Sequence, residues 1–212
     1  MNLFHVYFCD MNTDKKTRNY SMARRARMAS ESTEMIIHAV GELWKSGSLN
    51  EITLEAVAER SGVTVRTILR KFGSREGLLE ASIQQEAARI GNERGEAPMG
   101  DLEGIVDSLL RSYEEMGEAG IRTIYAEPDL EIARVIGERG RQTHREWCIR
   151  VFEPYLPAPD AEAYEIRLAA FISVTEIYLW KLLRKDLGFT PDKTKKVFIE
   201  MLEGLVMKVR NE

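Results

Sequence analysis

The chain predicts an all-α protein of about nine helices. Almost no segment alternates apolar and polar residues with a period of two, whereas several long ones repeat apolar residues at spacings of three and four. Gly, Pro and Ser or Thr stand where those runs begin and end.

The elements follow in order. Met35, Ile36, Ala39, Val40, Leu43 and Trp44 mark a helix over about 32–45, with Gly47 just past its end. Thr53 is placed to cap a short helix over 54–60, which Ser61-Gly62 breaks, because Gly62 can take a positive φ and turn the chain sharply. Thr64 is placed to cap a third helix reaching Phe72, with Ile68 and Phe72 four apart on its inner face. A helix over 76–94 precedes GEAPMGD at 95–101; then come a helix over 102–116, a short piece over 121–126 and a break at Pro128. The next helix, over 129–155, is stopped by LPAPD. The last two, over 161–187 and 191–209, flank GFTP, where Thr190 is a cap and Pro191 a good first helical residue. This divides the chain into a flexible basic tail, 1–30, a three-helix unit, 31–79, and a larger helical domain, 80–212.

At 212 residues and 44% hydrophobic, the chain can bury a sizeable core. Cys9 and Cys148 have no CxxC or metal-like spacing, and two ordinary thiols fit a reducing cytoplasm. The apolar run LFHVYFC at 3–9 is too short to span a bilayer and lacks the flanks of a signal peptide, so no membrane partner is expected. His5, His38 and His144 are too scattered for a metal set, and no GxSxG, GxGxxG, P-loop or HExxH occurs. Neither an enzyme nor a cofactor is indicated.

Charge is segregated. Residues 1–89 carry a net charge of +2 and residues 90–212 one of −6, within a total of −4. Inside the first part, RSGVTVRTILRKFGSR at 60–75 holds Arg60, Arg66, Arg70, Lys71 and Arg75 without a single acid. A helix-turn-helix needs Gly in its turn, a small residue four positions earlier and apolar pins; Gly62, Ala58, Val63 and Ile68 supply them. Val65, Arg66, Thr67, Leu69, Arg70 and Lys71 then face outward, a surface suited to a groove walled by phosphates. The plainer alternative is an αα-hairpin whose cations only solvate a face.

ITLEAVAERSGVTVRTILRKFGSREGLL at 52–79 resembles the DNA-binding domain of the tetracycline-repressor (TetR/AcrR) family of bacterial transcription regulators. The pattern is met at Thr53, Ala58, Gly62-Val63-Thr64, Thr67-Ile68, Phe72 and Ser74-Arg75-Glu76, and WKLLRKDLGFTPDKTKKVFIEMLEGLV at 180–206 is similar to the family's final two helices. The resemblance implies a homodimer bound to a palindromic operator in double-stranded DNA, acting as a repressor and released by a small-molecule effector. Thr53, Thr64, Val65, Arg66, Thr67, Leu69, Arg70, Lys71 and Arg75 are the expected DNA contacts: Arg66 and Thr67 on base edges, and Arg70, Lys71, Arg75 and the Thr53 hydroxyl on phosphates. Leu69 stands where the family usually has a phosphate-binding Tyr, and Arg75 where it has Lys. That departure keeps open a helical ligand- or partner-binding protein that has lost DNA binding.

Three further expectations complete the reading. Lys15, Lys16, Arg18, Arg24, Arg25 and Arg27 make a second cationic patch, either a minor-groove arm or a solvated tail. A helix over Leu168–Leu183 that is apolar nearly all round must be covered on two sides, and the stripe of Phe198, Met201, Leu202, Leu205 and Val209 serves core, dimer interface or both. By resemblance the second domain encloses a ligand pocket, with Tyr113, Met116, Tyr125, His144, Trp147, Phe152, Glu176 and Tyr178 as candidate lining. Glu176, an acid inside an apolar run, needs a partner, and an Arg of the 129–155 helix is expected in preference to a cationic ligand.

Overall fold

A computed structural model describes residues 13–95 and 97–211. Among these residues there is no strand and there are nine α-helical segments: α1 (Thr13–Ser46), α2 (Leu54–Ser61), α3 (Val65–Phe72), α4 (Arg75–Gly95), α5 (Leu102–Ala126), α6 (Glu131–Val151), α7 (Ala163–Thr175), α8 (Ile177–Lys181) and α9 (Pro191–Asn211). The seventh and eighth are the halves of one broken helix, so the all-α expectation stands, with eight helices among the described residues where about nine were expected.

Two apolar clusters organise these elements. The first gathers Ile36, Ala39 and Val40 of α1, Val57 of α2, Ile68 of α3 and Leu78 and Leu79 of α4, and it reaches Ala133 of α6. The second, in α5–α9, is centred on Phe152, Phe171, Trp180, Phe198 and Leu202, with the Phe152 and Phe171 rings stacked at 4.3 Å. Each such side chain contributes about 1.5–3 kcal/mol by leaving water. α4 and α6 connect the clusters, since α4 runs unbroken through the expected boundary at residue 79.

Local expectations hold in the three-helix unit. The Thr53 hydroxyl accepts from Ala56 N at 3.1 Å and the Thr64 hydroxyl from Thr67 N at 3.3 Å, each satisfying a helix-start amide. Gly62 takes φ +69°, and no atom lies within 4 Å of a Cβ built there, so backbone conformation alone requires glycine at this turn.

Four boundaries differ from expectation. Helix α1 begins at Thr13, so residues 13–30 extend the helix where a flexible tail was expected; TDKKTRNYSMARRARMASESTE contains no Gly or Pro and several strong helix formers. Residues 1–12, including Cys9, lie outside the described residues, as do the side chains of Lys15, Lys16, Arg18, Arg24 and Arg25.

Helix α5 is continuous where two pieces were expected. Gly117 and Gly120 do not break it but let α8 approach: a Cβ on Gly117 would sit 2.5 Å from the Trp180 ring, and one on Gly120 2.9 Å from Ile177 Cδ1. At its far end α6 stops at Val151, and Glu153–Tyr155 form a separate tight turn.

The fourth difference is the break between α7 and α8. Tyr113 donates its hydroxyl to the Thr175 carbonyl at 2.8 Å, occupying an acceptor that a continuing helix would use. Glu176 then turns extended (ψ 149°), and its own carboxylate accepts from Ile177 N at 3.2 Å.

Candidate nucleic-acid interface and ligand cavity

Ile68, fully buried, anchors α3 against α2 and α4. Arg66 and Arg70, four residues apart, therefore project together into solvent, next to Leu69, which is 39% exposed. Thr64 and Thr67 sit at the helix start with their hydroxyls 3.1 Å apart, and Val65 and Thr67 are half-buried. Thr53 is exposed at the start of α2; with its oxygen accepting from Ala56 N, the hydroxyl proton can still be donated outward.

Two expected phosphate contacts are occupied within the chain. Arg75 donates from Nε to the Ile52 carbonyl and from Nη2 to the Leu49 carbonyl, both at 2.7 Å, while Nη1 lies 3.8 Å from Glu76. It fastens the α1–α2 connection to α4. Lys71 donates to the Thr33 hydroxyl at 2.8 Å, tying α3 to α1. None of these three partners was legible in the sequence, because all lie at least 23 residues away, in the α1–α2 connection or on α1.

A cavity of about 220 Å³ opens between α1, α4, α5 and α6. Its apolar wall is formed by Ile37, Val40 and Trp44 of α1, Ile83 and Ile90 of α4, Met116 and Ile124 of α5 and Ile136 of α6. Of the eight expected lining residues, Tyr113, Met116, His144 and Glu176 are there. Trp147 and Phe152 are not: both are packed in the second apolar cluster. Tyr125 and Tyr178 face solvent, at 61% and 51% exposure, because the helix break at Glu176 rotates Tyr178 outward and Tyr125 lies on the outer side of α5.

The polar end of the cavity is built around Arg94, which sequence reading did not single out. Only 6% exposed, its guanidinium lies over the rings of Tyr113 (5.1 Å) and Trp147 (5.5 Å). It donates to Ser112 Oγ at 3.1 Å and to His144 Nδ1 at 3.3 Å, while its buried Nε has no partner. Since Arg can only donate, Nδ1 accepts, and the neutral His144 ring carries its proton on Nε2, 3.1 Å from Thr175 Oγ1. Burial, with the Arg94 cation beside it, pushes the His144 imidazole down to about 3. The nearby Cys148 thiol is pushed up to about 12 by burial and is inert at neutral pH.

Glu176 does not form the ion pair expected of it. Its carboxylate caps Ile177, and Arg141 of α6 pairs instead with Glu127 at 2.8 Å. Burial raises the Glu176 carboxyl above its ordinary range, partly offset by its amide hydrogen bond and by the Arg94 and Arg141 charges.

A short helix pinned beneath an exposed pair of arginines, followed by a larger helical domain holding a cavity, defines a helix-turn-helix protein with a second, ligand-sized chamber. The comparisons agree. Residues 36–82 match the model described as bacterial regulatory proteins, tetR family. This stretch, which spans α2, α3 and the start of α4, is thus similar to the DNA-binding domain of that family of regulators.

Solved structures share the fold at low identity. A candidate transcriptional regulator from Pseudomonas aeruginosa PAO1 is 15% identical, with 84% of this chain and 92% of that chain covered and a TM-score of 0.62. A TetR-family transcriptional regulator from Streptomyces coelicolor is 16% identical, covering 85% and 96%, with a TM-score of 0.59. A TetR-family regulator from Streptomyces coelicolor A3 is 15% identical, covering 84% and 96%, with a TM-score of 0.50. No curated protein matches the sequence. Among the described residues no helix is long and apolar enough to cross a membrane.

Proposed function

We propose that the protein is a cytoplasmic, ligand-responsive repressor that binds a palindromic operator as a homodimer, with α3 of each subunit in successive major grooves. The observation that carries the reading is the exposed Arg66–Arg70 pair on a helix held from beneath by Ile68. Arg66 and Thr67, near the start of α3, read base edges; Arg70, Lys71 and the Thr53 hydroxyl position phosphates, and Thr64, Val65 and Leu69 border the groove. Leu69 cannot donate to a phosphate and makes an apolar contact instead, for which a thymine methyl is suited.

The outer faces of α7 and α9 form the dimer contact in this reading. Ile166 is 75% and Met201 41% exposed, with the small residues Ala169 and Gly204 also outward, so two copies can approach closely. This revises the expected stripe, since Phe198 and Leu202 are fully buried in their own subunit and Leu205 is half-buried; the Val209 side chain lies outside the described residues. The cavity holds the effector, in contact with Tyr113, Met116, His144 and Glu176. Because α1 supplies one wall and α4 another, an occupant touches the helices that carry the DNA-binding unit, and differential binding between two arrangements of them would release DNA. A gel-shift titration with the DNA flanking the protein's own gene tests the reading: a retarded complex that competitor DNA of unrelated sequence does not displace supports it, and displacement by any DNA alike contradicts it.

A further inference from the structure

The cavity has one charged group deep inside it and no partner for that charge. Arg94 has five N–H donors. Two bonds are made, both to neutral atoms, and no carboxylate lies within 4 Å of it among the described residues. An isolated buried cation is costly, and the two aromatic rings repay only part of that cost. The surrounding acids do not cancel it. Glu86 is held by Arg89 at 2.6 Å, and Glu176, whose carboxylate accepts from Ile177 N, feels the Arg94 charge but forms no ion pair with it. Arg141, on the rim, is neutralised by Glu127, but Arg139 adds a further exposed cation there. The chamber is thus apolar along the α1 and α4 walls and electropositive at one end.

We propose that the ligand is a small carboxylate with an apolar body, its carboxylate seated at the Arg94 guanidinium and its body against Ile37, Val40 and Trp44. Carboxylate and guanidinium match in shape and charge, and the dry surroundings strengthen the pair. Neutral His144 and Ser112 hold the guanidinium in place without competing for it by charge. The ligand's far end lies on α1, so its length decides how hard it presses on the DNA-binding unit.

This inference rests on reading the cavity as the effector site, and it is tested without DNA. Octanoate and 3-phenylpropanoate, each beside its primary amide and primary amine, are titrated into the full chain by calorimetry. The expected result is that the carboxylate of at least one series binds roughly tenfold or more tighter than its amide, the range of a charged hydrogen bond, with the amine weakest. Arg94→Met should erase the preference and Arg94→Lys should keep part of it. Circular dichroism checks that the variants fold, and if Arg94→Met does not, the wild-type series and Arg94→Lys decide. An amide or amine that binds as tightly as its carboxylate, an Arg94→Met variant that keeps the preference, or no binding in either series overturns the proposal. A chain that binds octanoate yet no operator would sink the regulatory reading and leave this one standing; the converse result separates them the other way.

Discussion

Trp44 donates from Nε1 to the Thr123 hydroxyl at 2.9 Å, which joins the helix that supports the DNA-binding unit to the last turn of α5. The neighbouring Arg122 donates from Nη2 to the Trp44 and Lys45 carbonyls, at 2.9 and 2.8 Å, closing the last turn of α1. The joint therefore sits directly against the cavity, where Trp44 and Thr123 both line the wall.

Removing Arg122 should cost more than removing the Trp44 donor. Arg122→Ala leaves two carbonyls of a helix end unmet, for about 1–3 kcal/mol, whereas Trp44→Phe loses one neutral hydrogen bond, about 1 kcal/mol. Urea unfolding of both variants measures this, and an Arg122→Ala variant as stable as wild type would rule out the joint as a stabilising contact.

The exposed arginines of α3 should separate by role. Arg66→Ala should relax specificity at one base pair by about 1–3 kcal/mol, while Arg70→Ala should weaken all sequences alike and flatten the salt slope by about one unit. Binding isotherms on an operator and its single-base variants, at several salt concentrations, distinguish them. Uniform rescaling by both changes would remove Arg66 from the base-reading position.

Gly117 and Gly120 give a paired test of helix packing. Gly117→Ala drives a methyl into the Trp180 ring, which is fixed by its Nε1 bond to Glu114 at 3.0 Å, and should cost about 1–3 kcal/mol. Gly120→Ala meets only the flexible end of Ile177 and should be nearly neutral, or gain from alanine's helix propensity. Equal thermal stabilities for the two variants would contradict the close approach of α5 and α8.

These glycines show where sequence reading stops. Caps and turn glycines such as Thr53, Thr64 and Gly62 were legible because their partners lie within three residues and their physics is local. The helix over 102–116 was expected to stop short of Gly117 because that glycine's reason, Trp180, is 63 positions away, and the α7–α8 break was invisible because Tyr113, which meets the Thr175 carbonyl there, comes from across the domain. The cavity divided similarly: aromatic residues in the second half were attractive candidates, yet four of them pack in the core or face solvent. Arg94 carried a faint signal as the last cation of its helix, and only tertiary packing makes it the buried one.

The dimer face yields a two-way comparison. Ile166→Glu with Met201→Glu changes exposed positions and should give a folded monomer with weak operator affinity, since a monomer engages a single half-site. Phe198→Glu, at a fully buried position, should unfold the second domain instead. Sedimentation with circular dichroism reads both, and a double variant that stays dimeric moves the interface elsewhere.

Acid sensitivity should trace to His144. Its folded pKa, about 3, lies below the unfolded value of about 6.5, so between those pH values the unfolded chain takes up a proton that the folded chain refuses. Stability conferred by keeping His144 neutral is therefore lost as pH falls through about 6.5, by about 1.4 kcal/mol between pH 7.5 and 5.5. His144→Gln should lack this component, while the opposing contribution of the raised Glu176 carboxyl remains in both proteins. Identical pH dependence of urea unfolding in the two would place the buried imidazole in a different protonation state.

The central claim is sequence-specific recognition of DNA by α3, and repeated selection of the purified protein on random-sequence duplexes tests it most directly. The account predicts enrichment of a palindrome whose half-sites are about one helical turn apart, bound at least about a thousandfold tighter than unselected DNA, with Arg66→Ala losing the preference at one position of each half-site. Recovery of no common sequence, or of one that wild type and Arg66→Ala bind with the same preference at every position, would contradict it.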